Sequence, residues 1–193
     1  MSAIHSVAVF CGSRPGLLPD YHAAATSLGR GLARAGLRLV FGGGRIGLMG
    51  ALADAALAEG GEVLGVIPEF LTRREVAHAG LTELIVTDSM HLRKQRMYEL
   101  SDAFVVLPGG LGTLDEALEV ITWRQLGLHD KPILLCDVAG SAAPLVAAIE
   151  AAIARGFATP AMRGLFMVTE GVEATLDAIG AMAPGKGAPA ARM

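Results

Sequence analysis

The sequence predicts an α/β fold built on a parallel sheet with helices over both faces, and three features carry that prediction. Short apolar runs alternate with stretches of helical spacing along nearly the whole chain. The runs are apolar at consecutive positions, as in strands buried on both faces, rather than at every second one. Several of them end in turns rich in glycine, the strand-to-helix connections outside which such sheets bind their ligands.

The elements follow in order. Val7–Cys11 reads as the first buried strand, and Gly12-Ser13-Arg14-Pro15-Gly16 as its turn. Asp20 to Ala35 is helical, with Leu28, Leu32 and Ala35 on one face and Gly36 as the stop. Leu37–Phe41 is the second strand and runs into Gly42-Gly43-Gly44-Arg45-Ile46-Gly47-Leu48-Met49-Gly50. The helix after it continues through Ala51–Glu59 to Gly60-Gly61. Val63–Ile67 is a third strand closed by Pro68, and a polar connection, Glu69–Gly80, leads to a fourth at Leu84–Thr87. Ser89 to Met97, the most basic segment, reads as a loop entering a helix that ends near Leu100-Ser101. Ala103–Leu107 is the central strand, followed by a glycine turn and a helix with apolar residues at Leu114, Leu118, Ile121 and Leu126. Lys131–Cys136 is another strand and Ala142–Arg155 a helix. A short apolar piece, Leu165–Val168, and a helix, Val172–Met182, close the series.

At 193 residues this predicts one domain over 1–182, with 183–193 expected to be a disordered tail because of its proline and glycine. Half the residues, 52%, are hydrophobic and only 18% charged, with mean hydropathy +0.49. No apolar run approaches the roughly 20 residues of a membrane span. The apolar excess is therefore expected in the core and in a subunit interface, which predicts a homodimer. A net charge of −3 without a basic block argues against nucleic-acid binding. The N-terminus lacks a basic n-region, and Val7–Cys11 is too short for a signal h-region, so a cytoplasmic protein is expected. Cys11 and Cys136 close apolar runs and read as buried thiols. No metal-ligand spacing occurs, and neither metal nor cofactor is expected.

The stretch that carries chemistry is Pro108-Gly109-Gly110-Leu111-Gly112-Thr113-Leu114-Asp115-Glu116. A glycine turn entering a helix lets backbone N–H groups converge at the helix's positive end, a seat for phosphate. Glu116 adds a carboxylate there, which serves phosphate binding poorly and suggests catalysis. The competing reading is structural: Thr113-Leu114-Asp115-Glu116 fits a capping box, a role worth about 1 kcal/mol. Convergence decides for catalysis, since the turns at Gly12, Gly42, Ser89 and Pro108 all lie at strand carboxyl ends and can share one crevice.

Gly42, Gly44 and Gly47 also satisfy the dinucleotide fingerprint, with Glu69 where a ribose-binding acid would stand. That reading is set aside because a full strand and helix precede the motif and a second glycine turn follows. Arg45 reads as solvated or near the crevice rather than as a clamp for a 2′-phosphate. Arg93 and Arg96 share a helix face, and Arg93 is expected in the crevice, where its planar fork suits phosphate or carboxylate. His91 is left without a role, His129 reads as structural, and Trp123 as core or interface.

With these residues assembled, the chain closely resembles the LOG family, the cytokinin riboside 5′-monophosphate phosphoribohydrolases. The resemblance rests on the two glycine motifs, Gly42–Gly50 and Pro108–Glu116, together with Cys11-Gly12-Ser13, Met90-His91-Leu92-Arg93-Lys94 and Ile121–Gly127. It implies a Rossmann-like homodimer that hydrolyses the N-glycosidic bond of adenosine 5′-monophosphate, often N6-substituted, to free base and ribose 5-phosphate. The family's functional arginine and glutamate map onto Arg93 and Glu116 as catalytic residues. Arg14 and Leu92 stand where many members carry Ser and Glu, which bears on base specificity.

Substrate binding is expected from Gly12 and Ser13, from Gly43, Gly44 and Gly47, from Met90 and Lys94, and from Pro108, Gly109, Gly110, Gly112 and Thr113. In the expected mechanism, the amides of Gly109–Thr113 and the Thr113 hydroxyl hold the 5′-phosphate. Glu116 faces the ribose and Arg93 orients the nucleotide or Glu116. The alternative is a non-catalytic nucleotide or molybdenum cofactor carrier with glycine loops of the same type. A lysine decarboxylase, a label the family has also borne, would need a Schiff-base lysine, and only Lys94 stands in a suitable place.

Overall fold

The computed structural model describes residues 4–72 and 76–182. The expected tail at 183–193 lies outside them. The elements run β1 (Ser6–Phe10), α1 (Pro19–Arg34), β2 (Arg38–Phe41), α2 (Gly47–Ala58), β3 (Val63–Pro68), α3 (Glu69–Thr72), β4 (Glu83–Thr87), α4 (Met90–Glu99), β5 (Ala103–Val106), α5 (Leu111–Gln125), β6 (Ile133–Asp137), α6 (Ala143–Ala154), β7 (Met167–Glu170) and α7 (Gly171–Ala181). The strands form one parallel sheet in the order β4-β3-β2-β1-β5-β6-β7. This is the Rossmann-like arrangement the sequence led us to expect.

Alternation along the strands splits the core into two layers. Val7 and Val9 of β1, Leu39 and Phe41 of β2, and Val105 of β5 face Leu28 and Leu32 of α1, Leu52 of α2 and Ile179 of α7. Ala8 and Phe10, Val40, and Phe104 and Val106 face the other way, onto Met97 and Tyr98 of α4, Val120 and Ile121 of α5 and Leu145 of α6. Both faces of the inner strands are thus buried, which is why those strands read as continuous apolar runs. The outermost strands differ: Val86 of β4 and Met167 and Val168 of β7 are exposed.

The strand order reverses between β1 and β5, which pair with Phe10 opposite Val106. Their turns stay in contact beyond the strands, where Gly12 N–H donates to Pro108 O at 3.0 Å. A crevice therefore opens at the carboxyl ends of adjacent strands at the switch point.

Four local details depart from expectation. The connection after β3 contains the single turn α3 and an antiparallel bridge between Gly44 and Ala77. Leu165 belongs to a 3₁₀ turn, Pro160–Leu165, and β7 begins only at Met167. Helix α5 starts three residues early, at Leu111, with Gly110 as its N-cap and no side-chain cap bond. Its buried face is Thr113, Glu116, Ala117, Val120 and Ile121 rather than the leucine stripe. Leu111, Leu114 and Leu118 point outward instead.

The capping box is accordingly overturned. Thr113 is the third helical residue, so its backbone is already committed to the helix, and its side chain fills the space a Cβ on Gly109 would take. Glu116 lies in the second turn, too far along to bond back across the helix start.

Below the site, Lys131 is buried, with Nζ donating to Tyr98 O at 2.7 Å and lying 3.8 Å from the Tyr98 ring centre. His129 Nδ1 accepts from Lys131 N–H at 3.1 Å, so Nε2 carries the proton that meets Val120 O at 2.9 Å. That neutral tautomer confirms His129 as structural, and burial holds its pKa below the ordinary value. Trp123 packs edge-on against Tyr98 at 5.3 Å, a core contact. Burial pushes the Lys131 ammonium down to about 8 from 10.5, offset only in part by Asp102 and Glu99. The unfolded chain then binds more protons between those two values, so this group's contribution to stability rises with pH across that window. Lys131→Met removes the titration. Urea unfolding at about pH 7 and about pH 9.5 should show the natural chain gaining about 1–2 kcal/mol on the variant at the higher pH. An equal gap at both would mean that Lys131 does not titrate there.

Candidate functional site

Two turns and a helix build the site. The β5–α5 turn supplies Pro108 to Gly110, and the first helical residues Leu111, Gly112 and Thr113 follow it into a cleft of about 730 Å³. The amides at a helix start have no partner within the helix. Here the first bond across the turn is Leu114 N–H to Gly110 O at 3.0 Å. The β1–α1 turn supplies Cys11, Gly12, Ser13 and Arg14, and α4 supplies Met90 and Arg93.

Helix α4 is placed by Ser89, whose hydroxyl accepts from Leu92 N–H at 3.2 Å, a capping bond. One turn in, Arg93 is only 6% exposed. Its Nε donates to Val66 O of β3 at 3.1 Å, and Nη1 reaches Met90 Sδ at 3.7 Å. Nη2 lies 3.5 Å from Glu116 Oε1. Glu116 is itself only 7% exposed, yet both residues line the cleft. An arginine from one helix and a carboxylate from another thus meet at the wall of one crevice, at low dielectric, where their field on a bound molecule is strong.

The predicted site residues divide into two groups. Gly12, Ser13, Met90, Arg93, Pro108, Gly109, Gly110, Gly112, Thr113 and Glu116 are brought together in the cleft. Gly43, Gly44, Gly47 and Lys94 are not in its lining. Lys94 Nζ meets Asp115 at 3.1 Å and Glu119 at 3.0 Å, tying α4 to α5 on their outer side. Burial alone would lower its pKa, but the two carboxylates outweigh it and hold the ammonium above its ordinary value. Gly47, at φ +62°, lies where the β2–α2 turn presses on the β1–α1 turn. A Cβ there would run into the backbone of Ser13 and Arg14. The second glycine motif therefore braces the first turn from behind. Arg96, on the same helix as Arg93, points outward and pairs with Glu99 at 3.1 Å.

Sequence reading missed part of the wall: Tyr21, Leu48, Met49, Leu111 and Ser141 also line the cleft. Met49 lay within the second glycine motif and could have been inferred from it. Tyr21 and Ser141 follow turns at strand ends, but nothing in the residues around them marks them out.

Comparisons with known proteins place the chain that carries this cleft. The family model described as "Possible lysine decarboxylase" matches residues 49–179. The chain is 52% identical, over 90% of its length and 88% of the relative's, to the cytokinin riboside 5′-monophosphate phosphoribohydrolase of Rhodococcoides fascians. It is 45% identical to the Arabidopsis thaliana cytokinin riboside 5′-monophosphate phosphoribohydrolase LOG1, over 86% of this chain and 78% of that one. In solved structures the fold matches a molybdenum cofactor binding protein from Rippkaea orientalis at 21% identity, with a TM-score of 0.68 over 93% of this chain and 96% of that one. The two glycine motifs and the buried Arg93–Glu116 pair thus sit in a chain that belongs to the LOG family, the family of the cytokinin riboside 5′-monophosphate phosphoribohydrolases.

Proposed function

We propose that the chain hydrolyses the N-glycosidic bond of adenosine 5′-monophosphates, N6-substituted ones included, releasing the free base and ribose 5-phosphate. The observation that carries this is the buried Arg93–Glu116 pair at the cleft wall beside the start of α5. The names of relatives at 44–52% identity point the same way.

In this reading the amides of Leu111, Gly112 and Thr113 take the 5′-phosphate. The ribose then lies toward Glu116, whose carboxylate stabilises positive charge at C1′ as the bond to the base breaks, or draws a proton from the water that adds there. Arg93 fixes that carboxylate through a fork held at three points. Arginine supplies such a fork and lysine does not.

Decarboxylation of lysine fits poorly. A Schiff-base lysine must be neutral and must reach substrate. Of the two lysines among the described residues, Lys94 is held charged by two carboxylates, and Lys131, whose pKa is depressed, donates inside the core to Tyr98 O. A carrier role has only the fold in its favour, at 21% identity.

A homodimer completes the reading. Leu111, Leu114 and Leu118, spaced along one outward face of α5, leave an apolar stripe in water, and Leu92 on the neighbouring α4 is exposed as well. Light scattering at micromolar concentration should give the mass of two chains; a monomer mass would refute it.

The decisive experiment supplies AMP and N6-isopentenyl-AMP and measures free base. The natural protein should release base from at least one. Glu116→Gln keeps the shape and removes the carboxylate, so it should stay folded, still bind AMP, and lose at least about 10²-fold in turnover. Activity within a few-fold of the natural protein would remove Glu116 from the chemistry. No base from either nucleotide, with a bound cofactor recovered instead, would favour the carrier.

A further inference from the structure

Gly42, at the carboxyl end of β2, opens the second glycine motif, yet neither backbone nor cleft requires a glycine there. Gly43 and Gly47 have φ of +76° and +62°, which side chains rarely adopt, but Gly42 is not among the glycines with positive φ. Nor does it line the cleft. What a Cβ at Gly42 would meet is the Nη2 atom of Arg93, with Met49 Sδ at 3.0 Å and Arg93 Cζ at 3.4 Å behind it. Nη2 is the atom that faces Glu116.

We propose that Gly42 is a positioning residue for the reaction: its missing side chain is the seat of the Arg93 guanidinium, and so sets where that cation stands against Glu116. The inference rests on the roles given above to Arg93 and Glu116. The first glycine of the motif then serves the arginine and not the nucleotide backbone. The other side of the seat is main chain, since Nε is held by Val66 O. A methyl group at position 42 cannot move β2, which is buried between β1 and β3. It displaces the end of the flexible side chain instead. The fold survives and the ion pair does not.

A double-mutant cycle tests this, with Gly42→Ala, Arg93→Ala and the two combined, each read by melting temperature, AMP binding and single-turnover base release. Gly42→Ala should melt within a few degrees of the natural protein and bind AMP as well, while its rate of bond cleavage falls roughly 10²-fold, as for an angstrom-scale misplacement of a catalytic group. Added to Arg93→Ala it should cost little more in rate or stability, because the atom it displaces is gone and only the flexible Met49 thioether, 3.0 Å away, has to give. Near-normal turnover in Gly42→Ala overturns the proposal. So does a double variant that loses as much again, since the glycine would then act on the ligand or the backbone directly. Should Gly42→Ala fail to fold, the double variant still decides: recovery of folding on removal of Arg93 supports the seat, and continued unfolding overturns it. If the natural protein releases no base, the functional reading fails by itself, and the melting arm still tests the seat.

Discussion

A buried guanidinium organises this protein's site. Arg93 at 6% exposure would be costly without partners, because removing a cation from water is repaid only by close acceptors. Three are supplied from three parts of the chain: the Val66 carbonyl of β3, the Met90 sulfur one turn back on α4, and the Glu116 carboxylate on α5. Each contact constrains an element. The carbonyl fixes how far α4 lies from the sheet, and the carboxylate fixes the rotation of α5. That rotation explains why α5 turns Thr113, Glu116 and Ala117 inward and its leucines outward, against the preference of an amphipathic helix.

The sheet decides where this can happen. With β1 and β5 adjacent and the order reversing between them, the Gly12 and Pro108 turns touch, and the crevice between them is floored by backbone. Backbone is what a phosphate needs, and side chains are what a glycosidic bond needs. In the proposed reading the first comes from the glycine turns at the switch point. The second would come from α4 and the second turn of α5, which reach the crevice from one side of the sheet.

Much of this was legible in the residues. Consecutive apolar positions revealed the buried strands, because both faces of Val7–Phe10 or Ala103–Val106 really are covered. The exposed strands β4 and β7 were harder, since the same residue types there lie on open surface. The glycine turn and Glu116 stood out as a candidate site because a carboxylate beside an anion seat makes little sense otherwise, and the structure brings both to one cleft. The capping box was not distinguishable from the sequence, for Thr113-Leu114-Asp115-Glu116 matches its spacing. What defeats it is that Gly110 can cap and Leu111 begin the helix, a choice made by the cleft and not by local preference. Lys94 misled for a similar reason: a cation next to Arg93 in sequence lies about 100° round the helix and meets Asp115 and Glu119 instead.

The likeness to carrier proteins on the same fold sharpens what separates binding from chemistry. A glycine turn at a helix start attracts an anion whatever follows it, and that alone suits a carrier. Adding a carboxylate inside the same helix would repel the phosphate it is meant to sit beside, unless a cation is built in to offset it. Arg93 is that cation, and it is placed behind the carboxylate, in contact with the sheet, rather than across the phosphate seat. In the proposed reading this leaves the amides of α5 to the anion and the Glu116 carboxylate to the sugar. A site that only stored a nucleotide would have no use for either member of the pair, nor, on the inference drawn above, for a glycine just past β2 that leaves room for one of them.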